Sequence, residues 1–332
     1  MKKKIIIIGA GISGLYLAYM LEDKFDITII EARSRVGGRV YAIDGHDMGP
    51  SWVWPHHKNI LSLIDELGLE IFPQYTQGYA LYDTRDGVEH FTPPPSMPSS
   101  RVNGSLGSFI EVIHKSLKST KVLLSQEVQS VEEIDEGLSV TTRLDTFKSD
   151  FAIFTLPPRL VTKIDFTPKL PESLQQKMSS IQTWMGHSAK CVIEFKDAFW
   201  REKGLSGFAY SNNGPLGEIH DASTADRAAL FGFVNSNAQM DHFDDNVKEQ
   251  LSRVFQVDSS QIISIHLVDW KEEKYTASYE DRKALSQHPF YGIDTSQYSD
   301  KILFSSTEFS FREGGYLEGA LIRAKDICKQ IG

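Results

Sequence analysis

The chain has 332 residues, 41% hydrophobic and 24% charged, which excludes a disordered or collagen-like polymer and supplies core for two domains or one large one. Lys and Arg number 35 against 44 Asp and Glu, a formal net charge of −9 with no basic block, so nucleic-acid binding is disfavoured. Cys191 and Cys328 form no CxxC pair and no disulfide framework, as expected in a reducing compartment.

Lys2-Lys3-Lys4 followed by isoleucines at 5–8 resembles the start of a secretory signal. Gly9, Gly11 and Gly14 interrupt the run, no A-x-A site follows, and it is far short of the ~20 apolar residues that span a bilayer. It reads instead as a buried parallel strand, and the protein is expected to be soluble and cytoplasmic. Leu15, Leu17, Ala18 and Leu21 then recur at helical spacing, and residues 26–30 form a second strand ending at Glu31, completing a βαβ unit.

Residues 73–104 carry Pro73, Pro93–Pro95, Pro98 and Gly104, a composition expected of a domain crossing or surface loop. A helix is predicted over 106–117 and strands over 122–124, 128–134, 138–142 and 151–156, the last stopped by Pro157-Pro158. Residues 188–195 alternate, with Ala189, Cys191, Ile193 and Phe195 on one face and Lys190, Val192 and Glu194 on the other, where a solvated lysine is ordinary. Further strands are predicted at 228–234, 262–268 and 301–304. A closing helix has Leu317, Leu321, Ala324, Ile327 and Ile331 on one stripe.

Gly9-Ala10-Gly11-Ile12-Ser13-Gly14 is a GxGxxG placed between strand and helix. The first glycine permits the tight turn, the second lets backbone approach a pyrophosphate, and the third lets helix and strand pack closely. The helix N-terminus then faces the phosphates, and Glu31 can accept hydrogen bonds from ribose hydroxyls. The turn alone does not separate NAD from FAD.

The sequence beyond Glu31 does. Glu31-Ala32-Arg33-Ser34-Arg35-Val36-Gly37-Gly38-Arg39 and Gly49-Pro50-Ser51-Trp52 resemble the extended FAD fingerprint of the flavin-containing amine oxidases of the monoamine oxidase type. Three more segments resemble motifs of that family in order: HSAKCVIEF with FWREKGLSG, VDWKEEKYTASY, and FSSTEFS with GGYLEGALIRA. The resemblance spans nearly the whole chain. It implies an α/β, two-domain FAD-binding fold with a Rossmann-like parallel sheet, of the p-hydroxybenzoate hydroxylase type, interleaved with an α+β substrate domain. The expected boundaries are 1–72, 104–165 and 267–332 for the FAD domain, and 73–103 and 166–266 for the substrate domain.

By the same resemblance Gly9, Gly11, Ser13, Gly14, Glu31, Ala32, Arg33, Gly37, Gly38, Arg39, Gly49, Pro50, Ser51 and Trp52 are expected around FAD, with Arg39 near the pyrophosphate. Val128 is implied as an adenine-side backbone contact, Glu308 as a contact to the FAD backbone, Trp270 as packing beneath the cofactor, and Leu317 as an N–H donor to the flavin. Lys190 is implied as the lysine that holds a water against the flavin, and Tyr279 and Tyr316 as paired aromatic walls for an amine. Two departures are visible. The segment between Tyr79 and Gly104 is too small for the helical insertion of larger members, which implies a more open cavity. Ser278 stands where members with covalent flavin have cysteine, so FAD is expected to bind non-covalently.

Of the ten histidines, His56 and His57 are adjacent and are not expected to face one metal; no H-E-x-x-H or G-x-S-x-G is present, so metal chemistry and hydrolysis are disfavoured. The reading is an FAD-dependent amine oxidase passing a hydride from the amine carbon to the flavin and electrons to oxygen, giving peroxide. The alternatives are FAD-dependent oxidation or desaturation of a non-amine metabolite with another acceptor, and a non-catalytic flavin-binding interaction protein.

Overall fold

The computed structural model describes residues 2–283, residue 285 and residues 287–332. At its centre lies a five-stranded sheet in the order Ile302–Phe304, Phe151–Phe154, Lys4–Ile8, Asp26–Ile30, Lys121–Leu123, with every pairing parallel. The isoleucines at 5–8 are all buried because both faces of this sheet are covered. On one face pack the helices Ile12–Leu21, Lys58–Glu66, Leu106–Ser116 and Leu317–Ile331. On the other, Ile6, Ile8 and Phe154 meet a four-stranded sheet in the order Thr146–Ser149, Gly137–Thr142, Val128–Ile134, Asp165–Thr167.

Gly9 ends the central strand at φ +106°, a conformation open to glycine, and Gly14 lies so close to the turn that an added Cβ would meet the Gly9 carbonyl oxygen at 2.0 Å. That contact seats helix Ile12–Leu21 directly behind the turn. Its neighbours Asp26–Ile30 and Phe151–Phe154 leave in opposite directions from the central strand. A crevice therefore opens at the strand ends, where doubly wound sheets take their ligands.

A seven-stranded sheet forms the second body. Its order is Ile262–Asp269, Ala189–Phe195, Ala228–Val234, Leu216–Asp221, Leu205–Ser211, Tyr79–Thr84, Gly87–Phe91. The helix Phe243–Phe255 covers its far face through Phe243, Val247, Leu251 and Val254. The proline-bearing segment 73–104 is thus more than a crossing: its first half is a hairpin on the sheet edge, and Ser100–Val102 pairs with Ile71–Pro73. Its prolines lie outside that hairpin, so they cost the ladder nothing. No helix forms between Tyr79 and Gly104.

The solvated-face reading of Lys190 is corrected by the same sheet. Both faces of Ala189–Phe195 are covered, one by the helix-side core and the other by Met48, Trp52, Phe231 and Val268, and Lys190 is 3% exposed. Among the described residues no helix is long and apolar enough to cross a membrane.

Candidate active site

A cavity of about 850 Å³ runs from the glycine turn of the parallel sheet to the inner face of the seven-stranded sheet. At its first end the wall is backbone. Glu31, 4% exposed, accepts from the Ala10 N–H (2.8 Å) and the Arg33 N–H (2.8 Å), which fixes its carboxylate at the end of the second strand with its remaining lone pairs toward the cavity. Arg33 ties this corner to the far loop, donating to Glu273 and Thr276 at 2.8 Å each. Gly11 lines the cavity, and an added Cβ would meet no protein atom nearer than 3.9 Å, so packing alone does not ask for glycine there. The space such a side chain would take is the ligand's. A Gly-rich turn with open space at Gly11 and an acid at the second strand end fit the dinucleotide half of FAD.

In the middle, Arg39 borders the cavity and grips Glu308 with both ends of its guanidinium, at 2.5 and 3.2 Å. Burial is the largest influence on Glu308 and pushes its pKa up; the charge and hydrogen bonds of Arg39 outweigh it, and the carboxyl ends below its ordinary value. Glu308, expected as a direct contact to FAD, is fully buried and engaged by Arg39, which stands between it and the cavity wall. Val128, Ala32 and Gly14 are also absent from the wall: Val128 is buried in its strand, and Gly14 serves helix packing. Gly9, Ser13, Gly37, Gly38, Gly49, Pro50, Ser51 and Trp52 all reach it, as does Trp270, whose indole N–H donates to the Met48 carbonyl at 3.0 Å.

The closing helix points its N-terminus at the cavity, with Leu317 and Ala320 in the wall. Thr307 Oγ1 holds the Tyr316 carbonyl at 2.7 Å, and Glu318 accepts from the Asn59 and Ile60 N–H groups, so two helices are locked together here.

Lys190 enters from the seven-stranded sheet. Its ammonium donates to the Gly49 carbonyl (3.0 Å) and Ser51 Oγ (2.5 Å) and sits 4.1 Å over the Phe231 ring. Burial lowers its pKa strongly; Asp47 opposes that shift and Arg101 adds to it. Asp47 is raised by burial in turn, with one oxygen taking the Leu106 N–H and the other unpartnered. This Asp47–Lys190–Arg101 cluster was not legible in sequence, because its members come from three separate segments.

The expected tyrosine pair is split between the cavity and the surface. Tyr316 lines the cavity, but Tyr279 is 78% exposed and outside it. Tyr279 opens the short turn Tyr279–Arg282. There Asp281, fully buried and paired with Arg159, accepts the Ser278 N–H and hydroxyl hydrogen bonds, so the turn faces inward through Asp281 and outward through Tyr279. His288 stacks on Tyr316, ring centroids 5.2 Å apart and 5° from parallel, and the Trp184 ring centroid lies 4.7 Å from that of His288. A single histidine in a loop gave no sequence signal for this.

The adjacency argument about His56 and His57 also fails. The chain bends before helix Lys58–Glu66, and both Nε2 atoms approach Glu313.

A parallel sheet with a glycine crevice, joined to an antiparallel-rich sheet across one cavity, defines a two-domain FAD-binding protein. A family model described as flavin containing amine oxidoreductase matches residues 12–115 and 96–332, and the chain belongs to that family. Amine oxidase [flavin-containing] B of Mus musculus is 23% identical, with 99% of this chain and 86% of that protein aligned. A structure of putrescine oxidase bound to putrescine superposes with a TM-score of 0.83 at 20% identity, covering 100% of this chain and 99% of that one. Cyclohexylamine oxidase from Brevibacterium oxydans superposes with a TM-score of 0.82 at 17% identity, covering 100% of both chains. At these identities the superpositions speak for the fold.

Proposed function

We propose that this flavin-dependent amine oxidoreductase is an FAD-dependent oxidase that takes a hydride from the carbon beside a substrate nitrogen and reoxidises with oxygen, giving peroxide. The observation that carries the reading is the single cavity linking Gly11 and Glu31 at one end to Lys190 and Tyr316 at the other. When bound, the flavin supplies the hydride acceptor and the reaction with oxygen. The chain supplies position and charge. Glu31 and the N–H groups of the glycine turn hold the dinucleotide, and Arg39, aimed by Glu308, offers a positive charge to its phosphates. The N–H groups at the start of Leu317–Ile331 would offer partial positive charge to the flavin.

Lys190 keeps an N–H donor inside the wall, and its lowered pKa lets it hold or release a proton near neutrality. Tyr316, Trp54 and His57 present aromatic faces suited to an amine and to the cation it becomes. FAD is held without a covalent bond in this reading, supported by the positions of Cys191, buried in the sheet core, and Cys328, in the closing helix; neither lines the cavity. Substrate amine and oxygen are the partners, and the soluble, cytoplasmic setting is part of the proposal.

The test is anaerobic titration of FAD-loaded protein with primary, secondary and polyamines. Bleaching of the flavin absorbance, followed by recovery and peroxide on admitting air, is the expected result. Failure with every amine class, alongside bleaching by a non-amine metabolite, overturns the reading.

A further inference from the structure

Among the described residues one cluster of metal-ligating side chains stands outside the machinery invoked for flavin binding: His56, His57 and Glu313. We propose that these three bind a divalent transition ion of the zinc or copper class at the outer wall of the cavity. His57 Nε2 lies 3.3 Å from Glu313 Oε2 and His56 Nε2 lies 3.8 Å from the same oxygen, and the three ligating atoms lie within 4.8 Å of one another. Bonds of ~2.0–2.1 Å in tetrahedral geometry separate neighbouring ligand atoms by roughly 3.3 Å. One edge already has that length. The others are longer, and His56, whose side chain is 45% exposed, is the ligand that must turn to close them.

Adjacent histidines converge because His57, at φ −77° and ψ 69°, is not yet helical, and the kink turns the two rings edge to face at 4.4 Å. The ligands are also carried on firm supports. His57 is wedged between Trp54 at 5.1 Å and Tyr316 at 5.6 Å, and its helix begins on N–H groups held by Glu318. The Glu313 carbonyl accepts the Tyr316 N–H and packs against Gly319 so tightly that a Cβ there would meet it at 2.1 Å. Two imidazoles and a carboxylate favour zinc or copper over calcium or magnesium, which prefer all-oxygen shells. The exposure of His56 and Glu313 leaves a fourth position open to water. An ion here ties the turn bearing His57 to the loop bearing Tyr316, so it stiffens the aromatic wall without entering the dinucleotide site.

The experiment is equilibrium dialysis of the flavin-loaded protein against Zn²⁺, with Ca²⁺ as the comparison ion, read by metal content per chain. One zinc per chain and no calcium is expected, with His56→Ala and Glu313→Gln each weakening zinc on the order of 10–100-fold. Thermal melting without metal verifies that His56→Ala, a surface change, folds as the wild type does; zinc should raise the wild-type melting temperature more than that variant's. Wild-type protein that takes up no zinc overturns the proposal, and so does zinc uptake unchanged in His56→Ala. Because the readout is metal content and melting, the result is independent of whether any amine reduces the flavin.

Discussion

At the Gly9–Gly14 turn the cavity wall is backbone, fixed by hydrogen bonds to Glu31 and by helix packing. At Tyr316 the wall is side chain, fixed by other side chains from two separate segments: Trp54 and His57 from one, His288 from the other. The first kind of wall is dictated by a few residues close in sequence, since only a short motif makes the turn. The second depends on how loops settle against one another, which a short motif does not encode.

The largest effect expected across this divide belongs to Lys190→Met. Methionine fills the lysine's volume, so the sheet survives and flavin stays bound, while loss of the buried donor slows flavin reduction or reoxidation by about 100- to 1000-fold. Stopped-flow rates with intact flavin absorbance check it; wild-type rates would remove Lys190 from the mechanism. The pH profile sharpens the point. Burial lowers the Lys190 pKa, so its ammonium is lost on raising pH at values below the ordinary lysine range. A limb of the wild-type profile in that window should vanish in the variant.

Next in size is Glu308→Ala, behind Arg39 and out of the cavity wall. Removing one partner of a buried pair costs about 3–5 kcal/mol; with Arg39 30% exposed and able to rehydrate, about 3 is expected, read as the shift in denaturant midpoint. The sign of the pH dependence follows from the lowered pKa of Glu308. Its stabilisation is fully present above the unfolded-state carboxylate pKa and drains away as pH falls through the folded-state value. Wild-type stability should therefore fall more steeply in acid than that of the variant.

Gly11→Val separates fold from ligand at the dinucleotide end. Gly11 has φ −72°, which any residue adopts, and its neighbourhood is open, so the apoprotein should melt within about 1 kcal/mol of wild type. FAD affinity should fall by about 30- to 100-fold, the worth of one or two lost hydrogen bonds to charged phosphate, read by fluorescence titration. Equal loss of stability and flavin would show that Gly11 serves packing.

These contrasts also mark what the sequence made legible. The parallel sheet was readable because isoleucines at 5–8 and residues 26–30 have no polar face, and the dinucleotide corner because Gly9, Gly11 and Glu31 act through local backbone. Strands Leu205–Ser211 and Leu216–Asp221 went unassigned: one carries Gly207 and Ser211, the other Glu218 and His220, a polar pattern that alternation alone does not mark as strand. Lys190 was found through its neighbours but its burial was not, since the lid over it comes from Met48 and Trp52, far away in the chain. The pairing of Glu308 with Arg39 was not legible, because a sequence shows that an acid is placed near a site and not which cation claims it.

The smallest predicted effect tests the aromatic wall directly. Tyr316→Ala removes a ring that contacts Trp54, His57 and His288 and opens the cavity beside the closing helix, so amine turnover at low substrate should fall about tenfold, the worth of one lost cation–π and packing contact of ~1–2 kcal/mol. Tyr279→Ala removes a ring that is 78% exposed, with Arg282 5.6 Å over it, and kcat/KM should stay within about twofold. His288→Ala distinguishes the two possible partners of Tyr316. If it reproduces a good part of the Tyr316→Ala loss while Tyr279→Ala is silent, the second wall is the histidine that lies parallel to the tyrosine ring. If Tyr279→Ala is the costly change, the loop carrying it must swing inward when flavin and amine are bound, breaking the inward anchor that Asp281 makes with Arg159 and Ser278.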